Sequence, residues 1–270
     1  MTIKMIATDI DGTFITNDHE FDHMHFKRVL DQLEQRHVRF VIASGNQLKH
    51  LTDMFADYDN IAFLAENGGL VSLNDQVIFA DTVSTADLNQ ALTMIHTDPV
   101  LTGGMVILSG QHGAYVERNT NAELMAQANY FYSGLQLCDR LTDVHDDMFK
   151  LDLVWLDDQA GQRADYLNQH LPKTLSATAS GFGGLDIIPA HINKQVGLHA
   201  LEQYWHISPD DVMAFGDNDN DIAMLDHVGH SYAMANASAK VQQSAKAVTK
   251  WTNDDDGVLR TIDMVLGLAN

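Results

Sequence analysis

Residues 3–13 read Ile3-Lys4-Met5-Ile6-Ala7-Thr8-Asp9-Ile10-Asp11-Gly12-Thr13, an apolar run that ends in two carboxylates and a glycine. A short apolar run closed by a turn signal predicts a buried N-terminal strand, with Asp9 and Asp11 at its mouth. Such a pair suits phosphoryl transfer, because one carboxylate can attack phosphorus while the other handles protons. Gly12 lets the chain turn where a bulkier residue would crowd a ligand. Read alone, the same residues also describe a hairpin, since Asp-Gly is a favoured two-residue turn. The partners further along decide between the two.

Three such partners follow in order. The run Val38-Arg39-Phe40-Val41-Ile42-Ala43 ends in Ser44-Gly45, where a hydroxyl and freed backbone N–H groups can hold phosphate oxygens. Lys194 opens a helix-periodic stretch and can supply positive charge. Val212-Met213-Ala214-Phe215 ends in Gly216-Asp217-Asn218-Asp219-Asn220-Asp221, an acidic cluster before a helix. Mg²⁺ fits it, since that ion prefers a few carboxylates plus water. A calcium loop does not, because the required sixth-position glycine and terminal glutamate are absent. Each element also has an ordinary reading: a strand-end turn, a solvated helix-start lysine, a helix cap. Their shared order is what points to one chemistry.

Outward from these motifs, strands and helices alternate, which predicts an α/β, Rossmann-like, doubly wound parallel sheet with ligand groups at the strand carboxyl ends. Phe26, Val29, Leu30 and Leu33 recur at helical spacing, and Ile61–Ala65 reads as a third strand. The pattern changes over 82–190. There, alternating runs such as Met105–Leu108, Ala114–Glu117 and Lys150–Trp155 accompany amphipathic stretches near Leu124 and Tyr166. We therefore expect a catalytic core over 1–81 and 191–270, with an inserted α+β module at 82–190. Gly181-Phe182-Gly183-Gly184 lacks a following helix signal and reads as a hairpin, with Phe182 a candidate for touching substrate. Asp254-Asp255-Asp256 reads as a solvated turn. His19 and His23 have helical spacing but lack further metal ligands nearby.

The chain has 270 residues, enough for one large domain or two ordinary ones, and 45% hydrophobic content is enough for a core. Sixteen basic residues against 37 acidic ones give a net charge of −21, with no basic patch. That argues against nucleic acid and anionic membranes as partners. It also requires a cation and Lys194 to reverse the local field for an anionic substrate. A single cysteine, Cys138, no signal-peptide pattern and no apolar run of spanning length make a reducing cytoplasm the expected location. Nothing in the composition fixes the oligomeric state.

Asp9–Thr13, Ser44-Gly45, Glu66-Asn67-Gly68-Gly69, Asn193-Lys194, Gly216–Met224 and Asn253–Leu259 together resemble a haloacid dehalogenase-superfamily phosphatase of the Cof type. The resemblance spans nearly the whole chain. Asn46 stands where many such proteins carry arginine, and Gln195 where glycine often follows the lysine. The resemblance implies hydrolysis of a small phosphorylated metabolite, a sugar phosphate or phosphorylated cofactor, through an aspartyl phosphate, with Mg²⁺ as cofactor. It implies Asp9 as nucleophile, ionised near neutrality like an ordinary carboxylate of pKa about 4, and Asp11 as general acid and base. Ile10, Ser44, Gly45, Lys194 and Asn220 would hold phosphate. Asp9, the Asp11 carbonyl and Asp217 would hold the metal, oriented by Asp221. The 82–190 insert would be a cap that carries specificity. A phosphomutase and a non-enzymatic Mg²⁺- or phosphate-responsive module are the alternatives; retention of both Asp9 and Asp11 weighs against the second.

Overall fold

The computed structural model describes residues 2–181 and 183–268, so Phe182 lies outside the described residues. In chain order the elements are β1 (Met5–Thr8), α1 (His23–Gln35), β2 (Arg39–Ala43), α2 (Leu48–Met54), β3 (Ile61–Ala65), β4 (Leu70–Leu73), β5 (Gln76–Ala80) and α3 (Thr85–Thr97). Next come β6 (Met105–Gly110), β7 (Gly113–Glu117), α4 (Ala122–Phe131), β8 (Gln136–Cys138), β9 (Met148–Val154), α5 (Ala160–His170), β10 (Leu175–Gly181) and β11 (Gly184–Pro189). The chain continues through α6 (Lys194–Trp205), β12 (Val212–Gly216), α7 (Ile222–His227), β13 (His230–Ala233), α8 (Ala239–Ser244), β14 (Ala247–Val248) and α9 (Gly257–Leu266). Two compact units result: Met1–Ser44, Phe55–Phe79 and Asn193–Asn270 form one, Gly45–Met54 and Ala80–Ile192 the other. No helix among the described residues is long and apolar enough to cross a membrane.

The first unit is an α/β fold around a sheet ordered β14-β13-β12-β1-β2-β3-β4-β5, parallel from β14 through β3. It departs from a purely parallel sheet at β4, which runs antiparallel to β3. The short connection 66–69 turns the chain back on itself, with Glu66, Asn67 and Gly68 all at positive φ (52°, 55° and 101°). Asn74 and Asp75, between β4 and β5, also take positive φ (48° and 61°), the conformation that matches strand twist in a two-residue hairpin. Apolar residues of the strands feed cores on both faces. Met5, Ala7, Val41, Leu64, Val212 and Ala214 pack with Leu198, Leu201 and Met224, while Phe40 joins Phe14, Phe26 and Phe55 in an aromatic cluster. In α1, Phe26, Val29 and Leu33 bury one face, and Asp22 caps the start by accepting from the His25 N–H.

Register places the functional loops side by side. Thr8 pairs with Phe215 on one flank and Ile42 on the other, so Asp9, Asp217 and Ser44 each leave the sheet within two residues of aligned positions. The acidic turn near the C-terminus is not merely solvated. Asp254 accepts from the Asn17 N–H and side-chain amide, both at 2.7 Å, and Asp256 pairs with His25 Nδ1.

The second unit is α+β. Its sheet runs β10-β11-β9-β6-β7-β8, antiparallel except for β7 with β8. Strand alternation sends Leu108, Leu151, Leu153, Leu185 and Ile187 toward α3 and α5, and Met105, Ile107 and Val116 toward α4. The glycine-rich segment does join a hairpin, with Gly181 opposite Gly184.

Candidate active site

Four neighbouring strands deliver their C-terminal residues to one pocket in the first unit. Asp9 leaves β1 with its N–H donated to the Phe215 carbonyl at 3.1 Å, and it is 6% exposed. Lys194 is wholly buried at the start of α6. Its Nζ donates to Asp9 Oδ1 at 2.5 Å and to Asp221 Oδ1 at 2.6 Å. The helix is fixed there because Asn193 caps it, accepting from the Val196 N–H at 3.2 Å. The second oxygen of Asp221 accepts from the N–H groups of Asp217 and Asn218, each at 3.0 Å. Asp221 is thereby held by three donors.

Asp217 is set by Thr13, whose hydroxyl donates to Oδ1 at 2.8 Å. Gly12 makes this approach feasible. Its φ is +77°, and a Cβ there would sit 2.5 Å from Asp217 Oδ2. Asn220 donates to Asn67 Oδ1 at 3.1 Å, and the Asn67 N–H donates to the Ser44 carbonyl at 3.1 Å, linking three loops. Glu66, Asn67 and Gly68 all have positive φ, a concentration of left-handed backbone beside the pocket. Asp11 is partly exposed in the turn after β1. Ile10 has a wholly buried side chain, so only its backbone can face a ligand. Gly45 falls in the second unit, where its carbonyl accepts from Lys150 Nζ at 2.8 Å.

Electrostatics make this pocket unusual. Burial pushes the Asp9 carboxyl well up from its ordinary value; Lys194 opposes the shift, while Asp221, Asp217 and Asp11 add to it. Burial and the Asp221 charge likewise push Asp217 up to about 6, against the pull of Thr13 and Lys194. Burial alone would lower Lys194, but Asp221 and Asp9 outweigh it and hold the ammonium firmly charged. The short Lys194 contact favours an ionised Asp9, while burial and three carboxylates favour its protonated form. An ordinary carboxylate pKa therefore does not describe Asp9: burial and the neighbouring carboxylates hold it above that range, and added positive charge would bring it down.

The donor set suits a divalent cation. One carboxylate oxygen from each of Asp9, Asp217 and Asp221 lies within 4.8 Å of the others, and hard oxygen ligands of this kind are what Mg²⁺ prefers. Thr13 and the contact of Asn67 with Asn220 carried no role in the sequence reading. The Glu66–Gly69 motif marks Asn67, but its hydrogen bond becomes visible only when the loops after β3 and β12 meet at the carboxyl-terminal edge of the same sheet.

The haloacid dehalogenase-like hydrolase family matches residues 6–262. The 5-amino-6-(5-phospho-D-ribitylamino)uracil phosphatase YbjI of Escherichia coli is 33% identical over 267 residues, covering 98% of this chain and 97% of that protein. YwtE of Bacillus subtilis, of the same name, is 25% identical over 288 residues and covers 98% of each. The crystal structure of SMU.1108c from Streptococcus mutans is 32% identical, with a TM-score of 0.91 and coverage of 98% of this chain and 100% of that one.

Proposed function

The chain belongs to the haloacid dehalogenase-like hydrolase family, and we propose that it is a Mg²⁺-dependent phosphatase that hydrolyses a small phosphomonoester through an aspartyl phosphate on Asp9. The observation that carries this reading is the buried Lys194 bridging Asp9 and Asp221 beside Asp217. Asp9, the Asp11 carbonyl and Asp217 would hold the metal, which when bound supplies positive charge that offsets repulsion between a phosphate dianion and the carboxylates. Asp221 is best suited to orienting this set, because its oxygens are engaged by Lys194 and two backbone N–H groups.

An oxygen of Asp9 attacks phosphorus and the ester P–O bond breaks. Asp11 gives its proton to the leaving oxygen, then takes one from the water that attacks the phosphorylated Asp9, releasing inorganic phosphate and restoring the carboxylate. Lys194, the Ser44 hydroxyl and the backbone N–H at Ile10 hold the transferring group, and Asn220 braces the loop.

Relatives named for a phosphoribitylamino-uracil direct attention to primary phosphate esters that carry a polyol and a heterocycle. We infer that the 82–190 segment, which contains none of Asp9, Asp11, Ser44, Lys194 or Asp217, sets leaving-group preference. The test is phosphate release from a panel of phosphometabolites headed by that ribityl phosphate, with Mg²⁺ and with chelator, for the wild type and Asp9→Asn. Metal-dependent release from the wild type and background release from a folded Asp9→Asn are expected. Equal rates in the two proteins, or full activity under chelation, would remove Asp9 or the metal from the mechanism. Phosphoryl return to a second hydroxyl without phosphate release would indicate a mutase.

A further inference from the structure

Away from the Asp9 pocket, α6 and α7 bring together a second group of metal-ligating side chains. Glu202 is 3% exposed, and its charged partners among the described residues are two histidines. His199 Nδ1 lies 3.0 Å from Glu202 Oε2, and His227 Nε2 lies 2.9 Å from the same oxygen and 3.0 Å from Oε1. All three donors fall within 4.8 Å of one another. The spacing has a simple origin. His199 and Glu202 are three apart on α6 and so share a face, while His227 closes the group from the last residue of α7.

We propose that His199, Glu202 and His227 form a binding site for a Zn²⁺-class transition-metal ion, with the fourth coordination position open. Two imidazoles and one carboxylate are a donor set suited to zinc. Tetrahedral Zn–N and Zn–O bonds of about 2.0–2.2 Å place neighbouring donors roughly 3.3–3.5 Å apart. The N···O separations of 2.9–3.0 Å therefore need to open by only a few tenths of an ångström. A divalent ion bound here would also give the buried Glu202 carboxylate a full counter-charge.

The surroundings supply what such a site needs beyond its ligands. Gln203 Nε2 lies 2.9 Å from His199 Nε2, and Gln195 Nε2 lies 3.4 Å from His227 Nδ1. Rotating either amide presents its oxygen to the outer ring N–H, leaving the inner nitrogen's lone pair for metal. His199 is 53% exposed at its side chain, and an open groove lined by Gln195, Ala223, Asp226 and His227 reaches the other side. An ion here would tie α6, which begins at Lys194, to α7, which begins directly after Asp221. It would brace the two elements that hold the catalytic charges in place.

The experiment is Zn²⁺ titration of the untagged full chain in excess Mg²⁺, so that the Asp9 pocket is occupied, read by bound-metal stoichiometry and by the melting temperature. One equivalent is expected, with a melting temperature that rises with free Zn²⁺. His199→Ala should weaken binding by about 100-fold or more, and Gln195→Ala by about tenfold, as loss of a supporting hydrogen bond does. Asp217→Asn should keep the site. Co²⁺ in its place should give the visible bands of nitrogen-ligated, four-coordinate metal in wild type and lose them in His199→Ala. Because His199 is exposed, that variant stays folded even if His227→Ala does not. Unchanged Zn²⁺ affinity in His199→Ala, loss of the site in Asp217→Asn, or no bound Zn²⁺ in the wild type would overturn the proposal.

Discussion

Lys194 supplies the single buried positive charge shared by Asp9 and Asp221, with Asp217 close by, so its removal leaves buried carboxylates facing one another. Lys194→Met should destabilise the fold by about 3–5 kcal/mol near neutral pH, the range for breaking one side of a buried ion pair. The loss should shrink in acid, where the carboxylates take up protons; a pH-independent loss in denaturant titrations would mean that packing rather than charge is responsible. Asp217 gives a second handle. Its folded pKa of about 6 exceeds the ordinary 3.8. The folded chain therefore binds this proton more tightly, and the stability it contributes is complete below 3.8 and lost as pH rises through about 6. Added Mg²⁺ should thus raise the melting temperature more at about pH 7.5 than at about pH 5, where protons compete for the same oxygens. Equal shifts at both pH values would contradict Asp217 as a ligand.

The elements around the pocket work by presenting these residues at fixed positions. The N-cap of α6 sets Lys194, and Asn193→Ala should cost about 1 kcal/mol of stability while lowering kcat, because the helix start that aims the ammonium is loosened. Gly12→Ala should cost more, about 1–3 kcal/mol, since it forces a side chain into left-handed backbone and against Asp217. Melting and kinetic measurements on the two variants check both, and a wild-type Gly12→Ala would show that the turn relaxes freely. The strands leading to Asp9, Ser44 and Asp217 were legible in sequence because buried parallel strands read as near-continuous apolar runs. The β4–β5 hairpin was not. Its signal is a pair of residues, Asn74-Asp75, whose left-handed conformation is set only once the strands pair. The hydrogen bond from Asn220 to Asn67 spans 153 positions and has no local trace at all.

At the scale of the whole molecule, a chain of net charge −21 must attract a phosphorylated anion, so turnover should depend on local cations more than on the overall field. The second unit carries its own buried charges. Lys150 lies 3.3 Å from Asp186, and burial pushes Asp152 up to about 6 despite Lys150, groups that periodicity alone marks only as strand positions. If that unit governs selectivity, Phe182→Ala should spread kcat/KM among phosphoesters, while Lys194→Ala should depress all of them together. A uniform loss in the Phe182 variant would defeat the specificity claim. The central claim is that phosphate passes through Asp9. It is tested most directly by mixing Asp11→Asn with labelled p-nitrophenyl phosphate and Mg²⁺, then quenching in acid. That leaving group departs without protonation, so the first step proceeds while the second lacks its base. The account predicts a burst of about one nitrophenolate per active site, with label on the peptide that contains Asp9. Steady release without a burst, and an unlabelled Asp9 peptide, would contradict it.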